Sequence, residues 1–205
     1  MTSQRTIDVS HLRPYEISSE APLWWGQAFL ALIEGTMFSI LIAMYFYIRL
    51  SMDMWPPPGI QLPPQLLPAI CTILLIASCL GSYIASEAAK RDDRMGMILG
   101  LGLNLALAGT AMLFRAISWR QWNFKWTSTA YGSITWAILF LHTVDVAADL
   151  VFTLVLTLIL ITGKHGPRQR LGVHVDSIVW YFLVAIWIPL YVTVFWGPQI
   201  VGAPR

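Results

Sequence analysis

The chain has 205 residues, of which 57% are hydrophobic and 12% charged, with a net charge of +2. A charged share near half that of ordinary soluble domains (about 25%) excludes a typical water-soluble globule and points to a membrane protein. No basic cluster interleaved with aromatics occurs, so no nucleic-acid partner is expected.

In chain order, apolar runs predict spanning helices over 24–48, 67–88, 95–114, 131–162 and 177–196. The expected fold is an all-α integral membrane bundle of five transmembrane helices. A segment 1–23 precedes it, 24–197 form the membrane domain, and 198–205 form a tail. The first 22 residues carry Arg5, Asp8, Arg13, Glu16 and Glu20 but no apolar run of leader length, so no cleaved signal is expected. Eight basic residues fall on the side of the N-terminus and five on the other, which places the N-terminus in the cytoplasm and the C-terminus outside.

The proline-dense stretch 49–68 cannot be helical throughout, and is expected to be a stiff external loop. Cys71 and Cys79 lie on one predicted helix, about 12 Å apart along its axis. A disulfide needs Cα atoms within about 7 Å, so the pair is expected to be unbridged, with both side chains buried as small apolar groups. On the third helix, Gly96 and Gly100 have the spacing that lets backbones approach, and Asn104 can hydrogen-bond across helices. Trp119, Trp122, Trp126 and Trp196 fall where interfacial aromatic belts form.

Few polar groups lie within the spans. Glu34 is near the middle of the first, about 15 Å deep by the helical rise, where an acid must be protonated, partnered or turned toward protein. On the fourth helix, His142, Asp145 and Asp149 are spaced i, i+3 and i+7, which gathers them on one side within two turns. Three readings suit this group: a metal site completed from another helix, a proton relay, or structural pairing in which His142 meets Asp145 and Asp149 seeks another chain. Structural pairing is preferred, and it predicts a protein–protein interface. His11, His165 and His174 all fall in predicted tails or loops, so no second imidazole is expected in the membrane. No P-loop, Rossmann glycine pattern, HExxH, CxxC or CxxCH occurs, so no catalytic residue, cofactor site or metal site is assigned.

Three stretches together resemble one family. ALIEGTMFSILIAMYFYIRLSMDMWPPPGI resembles the part of cytochrome c oxidase subunit III in which an intramembrane Glu precedes an aromatic helix end and a W-P-P-x-G-I loop. YGSITWAILFLHTVDV is similar to its Y-G-S-x-F…H-G-x-H-V, and WYFLVAIWIPLYVTVFWG to its W-H-F-V-D-x-V-W-x-x-x-Y ending. The likeness runs from about residue 24 to 197 in matching order. By this resemblance Glu34 matches the family's membrane glutamate, Trp55, Pro56 and Pro57 its loop, His142 the first histidine of its fourth-helix pattern, and Trp180 and Trp187 tryptophans of its last helix.

The chain departs from the pattern at several polar positions. Asp145 stands at the second histidine, Asp149 at a glycine, Tyr181 at the terminal-helix histidine and Ala185 at the following aspartate. In FRAISW, Arg115 replaces a Gln and Ser118 a Glu. Full-length members carry two further spanning helices ahead of the matched part, which shorter bacterial members lack. The resemblance implies a non-catalytic subunit of an aerobic terminal oxidase in a bacterial inner membrane. It would pack on subunit I and other oxidase subunits, and support proton uptake and lipid or oxygen access. Haem and copper would sit on partner subunits, and phospholipid would be bound. The alternatives are an accessory protein of a nitric oxide reductase or quinol oxidase, and an autonomous proton channel or transporter.

Overall fold

A computed structural model describes residues 17, 22–62, 64–163 and 165–201. The expected segment 1–23 lies outside the described residues except at Ile17, Pro22 and Leu23, and so do 202–205 of the expected tail. Helices α1 (Pro22–Leu50), α2 (Leu66–Lys90), α3 (Arg94–Trp119), α4 (Ala130–Ile161) and α5 (Pro167–Tyr191) are followed by a π-helical turn, Val192–Trp196, and a short α6, Gly197–Val201. The five long helices are long and apolar enough to cross a membrane, the last counted through Ile200. Among the described residues there is no strand.

The ends of these helices have local causes. Asp93 caps α3 by accepting from the Gly96 amide at 3.1 Å, and Thr129 caps α4 by accepting from Gly132 at 3.0 Å. Gly163, with φ +91°, lies just past the α4 terminus in the left-handed region that glycine adopts without steric cost. Arg94 reaches across to that terminus, donating from Nε to the Leu160 carbonyl at 2.9 Å and from a terminal nitrogen to Ile161 at 3.0 Å. There it satisfies orphan carbonyls and sets a cation at the negative end of the helix dipole.

The last helix starts ten residues earlier than the hydropathy predicts, at Pro167 rather than 177. Proline suits a first helical position because its missing N–H would be unpaired there anyway, and its φ is preset. His174, expected in a loop, is therefore on α5, where its Nδ1 pairs with Ser86 Oγ of α2 at 2.8 Å. Farther along, Pro189 removes one rung of the α ladder, and the chain continues into the π turn three residues later.

Both ends of the bundle are tied. At the end where α2 passes to α3 and α4 to α5, His165 Nε2 lies 2.6 Å from Asp92 Oδ1, and Arg170 adds an ion pair to the same oxygen at 3.4 Å. At the opposite end Asn123 donates to the Gly59 carbonyl at 3.1 Å and accepts from the Gln61 amide at 3.2 Å, joining the proline-rich loop to the α3–α4 connection. Trp55 anchors that loop: only 2% exposed, it donates Nε1–H to Tyr45 Oη at 2.9 Å, with its ring edge-on to Tyr45 and Tyr131. Trp55→Phe keeps most of the packing and loses the hydrogen bond. It is expected to cost about 1 kcal/mol, measured by thermal unfolding in detergent, and an unchanged midpoint would remove the bond from the loop's anchoring.

The closest packing is between α2 and α3; α2 also lies along α5, while α1 rests on α4 and α5. Gly81 and Gly100 bring the α2 and α3 backbones together, and Asn104 donates across them to Ser82 Oγ. Beside the His174–Ser86 bond, three more link α5 to α2: Ser177 Oγ to the Ser82 carbonyl at 3.0 Å, Trp180 Nε1 to Ser78 Oγ at 2.9 Å and Trp187 Nε1 to Thr72 Oγ1 at 2.9 Å. Small residues and interhelical hydrogen bonds are what hold helices together where lipid removes the usual hydrophobic drive. Cys71 and Cys79 are unbridged; Cys71 is buried and Cys79 half-buried.

Candidate functional site

Two polar assemblies occupy the interior, and the sequence spacing had merged them. The first centres on Arg115 of α3 and His142 of α4, which are 4% and 0% exposed. A guanidinium nitrogen of Arg115 lies 3.0 Å from His142 Nδ1 and 3.1 Å from Thr143 Oγ1, while His142 Nε2 lies 3.0 Å from the Leu183 carbonyl. A guanidinium can only donate and a carbonyl can only accept. Nδ1 is therefore the acceptor, Nε2 carries the hydrogen, and the imidazole is neutral with both nitrogens engaged.

Trp187 of α5 completes the assembly. Its ring lies 4.0 Å below the Arg115 guanidinium carbon and 4.9 Å, centroid to centroid, from the His142 ring. The Phe38 ring of α1 approaches His142 edge-on at 6.1 Å. Through the Trp187 bond to Thr72 on α2, one connected cluster touches all five long helices. Among the described residues no carboxylate is within ion-pair distance of Arg115, so its charge is balanced by the imidazole lone pair, a hydroxyl and a π face. One of its nitrogens and Ser118 Oγ have no partner, and both border a small cavity with Cys71 and Trp119.

The second assembly is a cleft of about 220 Å³ between α1, α4 and α5. Four carboxyl groups line it: Glu34, Asp145, Asp149 and Asp176. Asp176 is 1% exposed and Asp149 9%, whereas Glu34 and Asp145 are half-buried. Thr153 Oγ1 donates to one oxygen of Asp176 at 2.9 Å. One oxygen each of Asp145, Asp149 and Asp176, and the amide oxygen of Gln27, have no partner. Every unpartnered polar atom of this lining is thus an acceptor. The remaining wall is apolar, including Leu30, Phe152, Val175 and Val179.

Of the residues singled out from sequence, Glu34, Asp145 and Asp149 come together, and His142 does not join them. Its two nitrogens are committed to Arg115 and Leu183, so the expected His142–Asp145 pair does not form. Leu183 separates the two assemblies, its carbonyl facing His142 while the residue lines the cleft. Trp55, Trp180 and Trp187 are buried; Trp126 is exposed, whereas Trp119 packs at a tilt and Trp122 edge-on against Trp136. Sequence reasoning missed Asp176, because the polar run before 177 reads as a loop. The available signal was Pro167 after Gly166, a helix start that places Asp176 inside α5. Among the described residues no three His, Cys, Asp or Glu side chains are grouped to hold a metal ion.

Comparison with known proteins adds the following. The family model for cytochrome c oxidase subunit III matches residues 14–198. A cytochrome c oxidase subunit 3 of Schizophyllum commune is 29% identical over 147 residues, covering 70% of this chain and 54% of that protein. One from Sus scrofa is 27% identical over 143 residues, covering 69% and 55%. One from Synechocystis sp. is 23% identical over 172 residues, covering 83% and 74%. The chain spans about half the length of the first two.

Proposed function

Because this chain belongs to the cytochrome c oxidase subunit III family, we propose that it is the non-catalytic membrane subunit of an aerobic terminal oxidase, packed on the haem–copper subunit I in a bacterial inner membrane. The observation that carries this reading is the family match over 14–198, which takes in all five long helices and the Trp55 loop. In this reading haem and copper belong to partner subunits. The chain contributes a rigid bundle, an interface with its neighbours, and apolar clefts that accommodate phospholipid and give oxygen a path. Support for proton uptake by subunit I belongs to the same reading.

The exposure of α1 is in keeping with it. Only 11% of the most apolar stretch of α1 is buried, and Phe29, Leu32, Ile33 and Ile40 are exposed. Lipid or another subunit covers such a surface in a membrane.

Purification in mild detergent tests the proposal. The expected result is copurification with a haem-bearing subunit whose complex reduces oxygen with electrons from cytochrome c. A stable, partner-free chain overturns it. Turnover of nitric oxide in place of oxygen would reassign the chain to a reductase, and quinol in place of cytochrome c to the quinol branch. Proton flux through the isolated chain in liposomes, abolished by Glu34→Gln, would make it a channel. As an oxidase subunit, Glu34→Gln is expected to leave assembly intact and to shorten the turnover lifetime only modestly; loss of the whole complex would show that the acid is structural.

A further inference from the structure

We propose that the cleft between α1, α4 and α5 receives a cationic side chain, an arginine or a lysine, from a transmembrane helix of a neighbouring subunit. The proposal rests on the oxidase-subunit reading and names the chemistry of one contact within it.

The lining calls for a donor-rich occupant. Four carboxyl groups from three helices converge on one space, and each unpartnered polar atom of the residues that line it is an acceptor. Asp176 is 1% exposed yet leaves one oxygen without a partner. A buried carboxylate without a counter-charge is costly in protein and more so at membrane depth, where such acids pair or mark a functional contact.

A bare metal ion does not suit the geometry. Oxygen ligands must close to about 2.0–2.6 Å around calcium or magnesium, and these side chains are not grouped that tightly. A guanidinium, with five N–H donors in a planar fork, or an ammonium with three, can reach oxygens spread around a wider space. The cleft volume of about 220 Å³ admits such a head group with part of its stem, and the apolar wall suits the methylenes.

Several of the chain's own described cations are engaged elsewhere. Arg115 serves His142, Arg94 the end of α4, Arg170 pairs with Asp92, and Lys90 with Glu87. None of the described basic residues lines the cleft. A phospholipid head group is the wrong occupant by charge, because it brings an anionic phosphate toward four acids. Asp176 is nine residues into α5 and Asp149 twelve before the end of α4, about 14 and 18 Å inward along the helices. A side chain carried on a spanning helix can sit at that level, and the uncovered face of α1 beside the cleft leaves room for such a helix.

The test replaces Asp149 and Asp176 with Asn, singly and together, keeping shape and removing charge. Two quantities are read in one detergent: the rate at which the chain dissociates from the purified complex, and the thermal midpoint of the isolated chain. Glu87→Gln, at the exposed end of α2, is the control. The expected result is dissociation about tenfold faster or more in the double variant, because the partner's cation is left buried and unpaired. The isolated chain, freed of uncompensated acids, should keep or raise its midpoint. Unchanged dissociation overturns the proposal, and so does a loss of midpoint in the isolated chain that matches the effect on the complex. Should no complex copurify with the unsubstituted chain, the oxidase reading fails and takes this inference with it; should the complex form and the variants hold as tightly, only the inference fails.

Discussion

Gly100→Leu is expected to prevent the α2–α3 pair from closing, and with it the accumulation of folded protein. A Cβ at Gly100 would collide with the backbone nitrogen of Ala85 and lie 2.7 Å from the Gly81 carbonyl oxygen, while one at Gly81 would lie 2.6 Å from the Asn104 nitrogen. These obstacles are main-chain atoms, and they cannot rotate aside as a flexible side chain could. The helices would have to separate. Separation would break the Asn104–Ser82 bond and the Cys71–Ala111 contact, and would shift Ser82 from Ser177. A loss above about 4 kcal/mol is expected, in the range reserved for overpacking and broken buried networks. Gly102 and Gly109 on the same helix have open space where a Cβ would go. Alanine there should be neutral or stabilising by up to about 1 kcal/mol through helix propensity. Folded yield and thermal midpoint in detergent are the measurements, and a Gly100→Leu protein that unfolds like the parent would show that the contact does not govern the fold.

The pattern of what could be read in advance follows from which forces act along a helix and which act between helices. Five spans were legible because twenty apolar residues in a row are set by bilayer thickness, a property of each segment alone. Helix ends were less so: α3 runs on to Trp119 and α5 starts at Pro167, because capping and proline placement carry a helix past the apolar run. The glycine signal was half legible. Both Gly96 and Gly100 do face α2, but Gly100 meets main-chain atoms of Ala85 and Gly81 there, whereas a Cβ at Gly96 would meet the side chains of Ala88 and of Asp93 on its own turn. Spacing on one helix shows a stripe and not what stands opposite it.

The polar cluster on α4 shows the same limit more sharply. His142 and Asp149 share a stripe, yet α3 presents Arg115 to the histidine while α5 presents Asp176 beside the aspartate. Both partners come from positions that sequence reasoning had passed over or read only as departures. Arg115, standing where the resemblance expects a glutamine, meets His142 Nδ1, and the histidine does not pair with Asp145. Ser118, where the resemblance expects a glutamate, brings this buried cation no carboxylate, and the imidazole and the indole of Trp187 provide its surroundings. The acids left on α4 are free of the histidine and open to the cleft.

His142→Ala should therefore destabilise the isolated chain by about 3 kcal/mol, through a cavity at a fully buried site and the loss of a hydrogen bond to a charged group. Arg115 would keep Thr143 and the Trp187 face but would lose its acceptor, and the Leu183 carbonyl would lose its donor. His142→Gln can accept from Arg115 and donate to Leu183 with one amide, and should recover a substantial part of the loss. Arg115→Met removes the charge together with the need for an acceptor, so it should cost less than His142→Ala. In the double variant the effects should be smaller than their sum by about 1 kcal/mol or more, because each single change strands a group that the other would remove. Unfolding midpoints and denaturant titrations of the four proteins give the cycle. Strict additivity, or a His142→Ala protein within about 0.5 kcal/mol of the parent, the range of an ordinary surface change, would mean that the pair is held by its surroundings and does not hold them.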